Sequence, residues 1–546
     1  MKWTIPALFL LFLAPQLFAQ DSTFKFQVSF TDKNNNPYSL DRPLEFLSAE
    51  AMERRENQGI LLDSLDLPVT PTYLAQLRQM GVRVLFVTRW FNSAVVALED
   101  SSLLADIQSL PFVKGVEYRG TAEGMEINMA DTDTNLFLPG KRNYGQSFNQ
   151  IQMMNGQWLH EQGFQGAGMR IAVLDAGFTR TNQLLAFADL NARNGIVGTH
   201  DFYQDTASVY NFASHGTYVL SVMAGNLPGA LTGTAPAASY LLLRTEEGAT
   251  EYLTEEIAWA AGAEYADSAG AWLINSSLGY HFFDDSTMNH TYEMFDGNTT
   301  IITRAADLAA SRGILVVSSA GNQGDRAFGK ITAPSDADSI LAVGAVIPEA
   351  EYAGFSSRGP SADGRVKPEI AAQGAAVESA SLDDLGTVPI NGTSLAAPLV
   401  TGLAACLWQA FPELSNMQIR DAIIRSASQY NQPDIFLGYG IPDFHTAFQI
   451  CRTMTGEAVA DEHIISVYPN PFSHEFYASF FTPGAADIEV RLTDRTGRVL
   501  ERWQISSPGE GTLNHHFRVP ENVSHGIYFL SFQSNENVYT RKVLKL

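Results

Sequence analysis

Four residues, far apart along the chain, together hold what acyl chemistry at a carbonyl carbon requires. Ser394 lies in NGTSLAAPLVTGLAACLW, at the start of a helical stretch. A helix N-terminus carries unpaired N–H groups and partial positive charge, so an oxygen there becomes anionic at lower cost. A hydroxyl is still a weak nucleophile at neutral pH and needs a base. Imidazole is the side chain poised for that task. Of the eleven histidines, His215 stands apart because it opens a second helical stretch, in NFASHGTYVLSVMAG. An imidazole base in turn needs a buried acid that fixes its tautomer and stabilises its cation. Asp175 directly follows the apolar run 171–174 in IAVLDAGF. Preset donors must then meet the oxyanion, and Asn322, in SSAGNQG, offers a side-chain amide. Gly216 and Gly392, beside these residues, allow close backbone approach.

The elements that must position them alternate. Continuous apolar runs at 171–174, 241–243, 272–274, 314–317 and 340–343 suit strands covered on both faces. Helical stretches at 215–224, 255–268 and 301–311 separate them. The pattern predicts an α/β, doubly wound, mostly parallel sheet with helices on both sides. Right-handed crossovers then bring functional groups to the carboxyl ends of the strands. Asp175, the segment Asn275-Ser276-Ser277-Leu278-Gly279 and the segment 318–322 all fall there. The Ser394 helix is expected to carry Pro398 in its first turn, where proline is tolerated.

The segments IAVLDAGF, SHGTYVLSVMAG and NGTSLAAPLVTG resemble the Asp, His and Ser signatures of the subtilisin-like serine proteases (subtilases, the S8 family). The order Asp, His, Ser is also that family's, and GTSLA is not a G-x-S-x-G elbow. SSAGNQG resembles the family's oxyanion segment, INSSLGY its substrate-binding segment, and FSSRGP and KPEIAAQG its later landmarks. The resemblance covers roughly 165 to 445. It implies a subtilisin-like fold and hydrolysis of peptide bonds in proteins through an acyl-enzyme. Ser394 would be the nucleophile, His215 the general base and then acid, and Asp175 its orienting partner. The Asn322 amide and the Ser394 N–H would form the oxyanion hole. Ser277, Leu278 and Gly279 would bind the extended substrate as an added strand.

Three departures stand out. Ala176 occupies a position where the family usually has Ser or Thr, which removes a hydroxyl contact to Asp175 and should be tolerated. Ala372-Gln373-Gly374 replaces a common Ala-Pro-Gly. The stretch 281–300 lengthens the connection after the substrate segment and is expected to rim the cleft. Its Asp284, Asp285 and Asp296 raise structural calcium, unassigned to ligands; the chemistry itself needs no cofactor.

The flanks have their own character. Residues 1–19 read as a secretory signal peptide, with Lys2 ahead of an apolar run too short to span a bilayer. Residues 20–120 read as β-α-β-β-α-β, a ferredoxin-like α+β unit; beside a subtilase core this resembles an inhibitory propeptide. Residues 121–150 read as an exposed linker that holds the processing site, ahead of a catalytic domain at 151–458. Residues 459–546 read as a small β-sandwich. VYPNPF, LTDRTGRVL, GIYFLSF and the terminal RKVLKL resemble the sorting domain of the type IX secretion system. That implies passage through the periplasm of a Gram-negative bacterium to the exterior or the cell surface, with the secretion machinery, the propeptide and protein or peptide substrates as partners.

Composition narrows the partners. The 546 residues are 45% hydrophobic and carry 35 Lys and Arg against 59 Asp and Glu, a formal charge of −24. That balance argues against nucleic acid or an anionic membrane as partner. No later run reaches the length of a transmembrane anchor. Two cysteines, Cys406 and Cys451, make no disulfide scaffold and are expected to be buried thiols. Two other readings fit the same residues: a peptide ligase or cyclase of this fold, and a catalytically silent surface-binding protein.

Overall fold

The computed structural model describes residues 23–99, 102–122, 144–248, 250–455, 464–468, 472–483, 486–507, 509–520, 522–534 and 537–545. The signal-peptide reading at 1–19 and most of the expected linker lie outside the described residues. The ends of that linker are structured: strand Val113–Ala122 runs past 120, and helix Phe148–Gln152 begins before 151. Tyr144 and Ser147 already bond to His160 and Thr232 of the next domain.

A seven-stranded sheet forms the centre. Its order is Ile370–Gln373, Leu341–Val346, Leu315–Ser319, Leu273–Ser276, Arg170–Asp175, Ser239–Arg244, Ile196–Asp201. Every neighbouring pair is parallel. Of the two edge strands, Ile196–Asp201 is largely half-buried and carries no apolar run, whereas Ile370–Gln373 is buried and holds only the weak run Ile-Ala-Ala. The first of these seven strands in chain order, Arg170–Asp175, lies inside the sheet, so the winding reverses beside it and opens a crevice at its carboxyl end.

Burial splits by face. Ile171, Val173, Leu242, Leu315 and Val343 pack under helices His215–Ala224 and Thr393–Ala410. Ala172, Leu174, Leu243, Ile274 and Val316 pack under helices Leu253–Ser268 and Ile301–Ser311. Helix Thr393–Ala410 is the one described helix long and apolar enough to cross a membrane, and it is buried in this core.

The N-terminal unit is a four-stranded antiparallel sheet in the order Arg83–Thr88, Ser93–Leu98, Thr23–Phe30, Val113–Ala122. Helices Pro71–Gln79 and Leu103–Gln108 match the expected pattern. Helix Ala49–Asn57 does not: it was missed because its buried face holds Arg54 and Arg55 rather than an apolar stripe. This unit docks on helix Leu253–Ser268. Phe86, Trp90 and Val95 join the core beneath it, and Arg54, Arg55 and Arg89 converge on Asp267. The backbone N–H groups of Arg89 and Trp90 donate to the Glu264 carboxylate at 2.6 and 2.9 Å.

The C-terminal unit comprises a three-stranded and a four-stranded sheet. They close over Phe472, Phe476, Val490, Phe517 and Leu530. Cys406 and Cys451 are free and buried, and burial pushes both thiols up.

Candidate active site

Asp175 ends the interior strand and is fully buried. Its Oδ1 accepts the N–H of Ala176 at 2.8 Å, and both carboxylate oxygens lie 3.0 Å from His215 Nδ1. A carboxylate only accepts, so Nδ1 carries the proton and the Nε2 lone pair is left for another partner. The backbone N–H of Ala176 thus supplies a donor to Asp175 in a sequence that lacks the expected hydroxyl. His215 opens its helix, and its side chain is 38% exposed. Burial works against its cation, yet the charge and hydrogen bond of Asp175, with Glu246 adding, raise the imidazole to about 9.

Ser394 is the second residue of helix Thr393–Ala410. The two helices are tied by Thr234, whose hydroxyl reaches the carbonyls of Val222 and Pro398. Gly392 has φ +151°, and a Cβ there would sit 2.7 Å from Ser394 Oγ and 3.6 Å from Asn322 Nδ2. Only glycine leaves that space open, and hydroxyl and amide both border it. The orientation of the Asn322 amide is fixed by chemistry: its Oδ1 accepts the Thr393 N–H at 2.9 Å and the Thr393 hydroxyl at 3.0 Å. The NH2 group is therefore directed away from Thr393, and Asn322 is exposed to the cleft. The imidazole bonds to Asp175 and makes no hydrogen bond to the Ser394 hydroxyl in this arrangement; such bonds commonly form only with substrate in place.

Pro398 lies inside the helix, in its second turn and not the first. Proline has no N–H to give the carbonyl four residues earlier, which is that of Ser394. Ser277 Oγ takes its place, donating to the Ser394 carbonyl at 2.7 Å, and Asn275 Nδ2 donates to Ser277 Oγ at 3.1 Å. The Ser277 side chain is thus spent on positioning the Ser394 turn. Leu278 is buried, whereas Gly279 is exposed and backed by Thr332, whose Oγ1 would lie 2.3 Å from a Cβ.

Sequence reasoning missed Glu246. It is half-buried beside the Asp175–His215 pair, and its Oε1 accepts the Tyr280 hydroxyl at 2.7 Å. Burial lifts its carboxyl to about 7, against the pull of the Tyr280 bond and with a push from Asp175. The density of glutamates in TEEGATEYLTEE was the available signal. The stretch 281–300 forms two short 3-10 turns, with Phe282 exposed. Its carboxylates are already engaged: Asp284 by the Glu251 N–H, Asp285 by Thr287, Asp296 by Asn298 and Thr299. Among the described residues no group of three His, Cys, Asp or Glu side chains is placed to hold a metal ion.

Residues 166–440 match the family model described as the subtilase family. Residues 25–134 match the peptidase S8 propeptide domain of Bacteroidota, and 466–545 a secretion system C-terminal sorting domain. Subtilisin E of Bacillus subtilis is 31% identical over 308 residues, covering 55% of this chain and 70% of its own length. A subtilisin of Bacillus pumilus is 30% identical over 308 residues, 55% of this chain and 98% of its own. Subtilisin-like protease SBT6.1 of Arabidopsis thaliana is 24% identical over 421 residues, 73% of this chain; the match spans only 38% of that plant relative.

Proposed function

The chain belongs to the subtilase family of serine peptidases, and from that premise we propose that it is an exported endopeptidase that cuts proteins through an acyl-enzyme at Ser394. One observation carries the reading: buried Asp175 holds His215 Nδ1 from both oxygens, and Ser394 and Asn322 meet across Gly392. His215 Nε2 takes the proton of the Ser394 hydroxyl as Oγ attacks the scissile carbonyl, and later returns it to the leaving amine. Asp175 keeps the ring in the required tautomer and stabilises the cation. The tetrahedral oxyanion is received by the Asn322 amide and the Ser394 N–H, donors set before the reaction begins. Water repeats the sequence on the acyl-enzyme. The exposed Gly279 edge pairs with the extended substrate.

The docked N-terminal unit acts as an intramolecular inhibitor until the Ser394 site itself cuts it away in the region 123–143, and the C-terminal sandwich addresses the chain through type IX secretion to the exterior or the surface. The full-length chain and its Ser394→Ala variant test the central claim. Wild type is expected to digest casein and to be labelled by a serine-directed fluorophosphonate, and the variant to do neither. Equal digestion by both, or no labelling of wild type, removes the reading.

A further inference from the structure

We propose that Glu247, Glu251 and Glu255, in and beside the loop that carries Glu246, form a specificity subsite for a basic side chain of the protein substrate, arginine ahead of lysine. The proposal rests on the endopeptidase reading above. Glu247 and Glu251 lie in the loop between strand Ser239–Arg244 and helix Leu253–Ser268, and Glu255 in the first turn of that helix. The same loop carries Glu246, next to the Asp175–His215 pair and bonded to Tyr280, which directly follows the Ser277-Leu278-Gly279 edge. The Glu247 N–H donates to Glu255, so the cluster begins one residue from the carboxylate that acts on the imidazole.

A cation already sits there. Lys25, on the inner strand of the N-terminal unit, places its ammonium on the Glu247 carboxylate and 4.9 Å from the centre of the Tyr203 ring. Its side chain is only 4% exposed. The nearby guanidinium of Arg244 does not serve this purpose. It is taken up by Asp201 at 3.0 Å and by the backbone carbonyls of Ala176 and Glu247. When the N-terminal unit leaves, Lys25 leaves with it, and the cluster loses the one cation among the described residues that contacts its carboxylates. Burial first, then repulsion from Glu246 and other nearby carboxylates, already pushes the Glu251 carboxyl up to about 8 and that of Glu255 well above its ordinary range. A substrate cation relieves that repulsion.

The preference for arginine comes from a vacancy in the bonding. Glu255 is 2% exposed; its Oε1 accepts the Glu247 N–H at 3.0 Å, and its Oε2 has no partner even with Lys25 in place. The Tyr203 hydroxyl is likewise buried without a partner. An ammonium is a point donor and satisfies Glu247. A guanidinium presents a planar fork of five N–H groups and can serve two carboxylates while lying over an aromatic ring.

The test uses the secreted, self-processed chain, with its concentration of competent sites fixed by fluorophosphonate titration. Fluorogenic peptides identical except for one residue, Arg, Lys, Gln or Glu, are scanned from four positions before the scissile bond to two after it. At one position kcat/KM is expected to be about tenfold or more higher for Arg than for Gln, with Lys between them and Glu lowest. Glu247→Gln and Glu255→Gln are each expected to cut the Arg/Gln ratio several-fold, and raised salt to cut it in wild type. A flat profile in an enzyme that is labelled and digests casein overturns the subsite and leaves the endopeptidase reading standing. So does an Arg/Gln ratio unchanged in both labelled variants. Absence of labelling and of cleavage in wild type sinks the parent reading and this proposal together.

Discussion

Asp175 and Asp267 are both fully buried carboxylates in the same α/β core, and they serve opposite ends. Asp175 faces one imidazole that is 38% exposed to the cleft. Asp267 faces three guanidiniums, those of Arg54, Arg55 and Arg89, none more than 8% exposed. Burial alone would push the Asp267 carboxyl up; the three arginines hold it below the ordinary range. The difference lies in the partner. Imidazole changes charge near neutrality, so the Asp175 pair is a device that cycles a proton. Guanidinium does not titrate, so the Asp267 cluster is a fixed clamp between the N-terminal unit and the catalytic domain.

The same substitution made in both places separates the two roles. Asp175→Asn should lower casein turnover by about 10⁴-fold, because the wrong tautomer of His215 is then favoured while the fold is kept. The chain should also persist unprocessed. Circular dichroism of the variant checks that it is folded, and turnover within tenfold of wild type would break the comparison. Asp267→Asn should leave turnover by processed enzyme near that of wild type, yet weaken docking of the N-terminal unit by about 3–5 kcal/mol, since three buried cations lose their counter-charge. Hydrogen exchange of helix Ala49–Asn57, measured in the unprocessable Ser394→Ala background, is the readout; unchanged protection would mean the clamp is ornamental.

A pH profile sharpens the contrast. The base form of His215 is the neutral ring. A raised value therefore empties that form at neutral pH and fills it as pH rises, so kcat/KM should climb on an acid limb above 6.5 and toward about 9. Solvent reaching the half-open ring screens part of the pull of Asp175, which places the limb between these two values. Rates of turnover from pH 5 to 10 decide the matter, and a limb at or below 6.5 would contradict the electrostatics described here.

How much of this was legible in the sequence follows from the same contrast. Asp175, His215, Asn322 and Ser394 announce themselves because each sits where a buried apolar strand ends or a helix begins, and those patterns are local. The interior strands show as unbroken apolar runs for the same reason. The edge strand Ile196–Asp201 has no such run and Ile370–Gln373 only a weak Ile-Ala-Ala, and helix Ala49–Asn57 buries arginine, which periodicity reads as surface. The clamp pairs residues more than 170 positions apart, and nothing local marks such a pair. Glu246 was equally hidden, since its neighbours come from strands that meet only in the folded sheet. The position of Pro398 was misjudged by one turn, and only the fold shows what that turn does.

That turn supports the smallest prediction, and it tests how a rigid nucleophile is built. Pro398 withholds an N–H from the Ser394 carbonyl, and Ser277 supplies the missing bond from a different strand end. Ser277→Ala should leave that buried carbonyl unsatisfied, at a cost of about 1–3 kcal/mol. Pro398→Ala restores a helical N–H four residues on, although it frees the unfolded chain and so lowers stability on its own. In the double variant the helix itself can satisfy the carbonyl, so the cost of Ser277→Ala should shrink. The coupling, read from denaturant unfolding of the four full-length chains in the Ser394→Ala background, is expected to be about 1 kcal/mol. Strict additivity would mean that the two residues do not share the carbonyl. A positive coupling would mean that the mobility of the nucleophile turn is set by a hydroxyl on the substrate-binding segment, so that seating the substrate and holding Ser394 are one mechanical event.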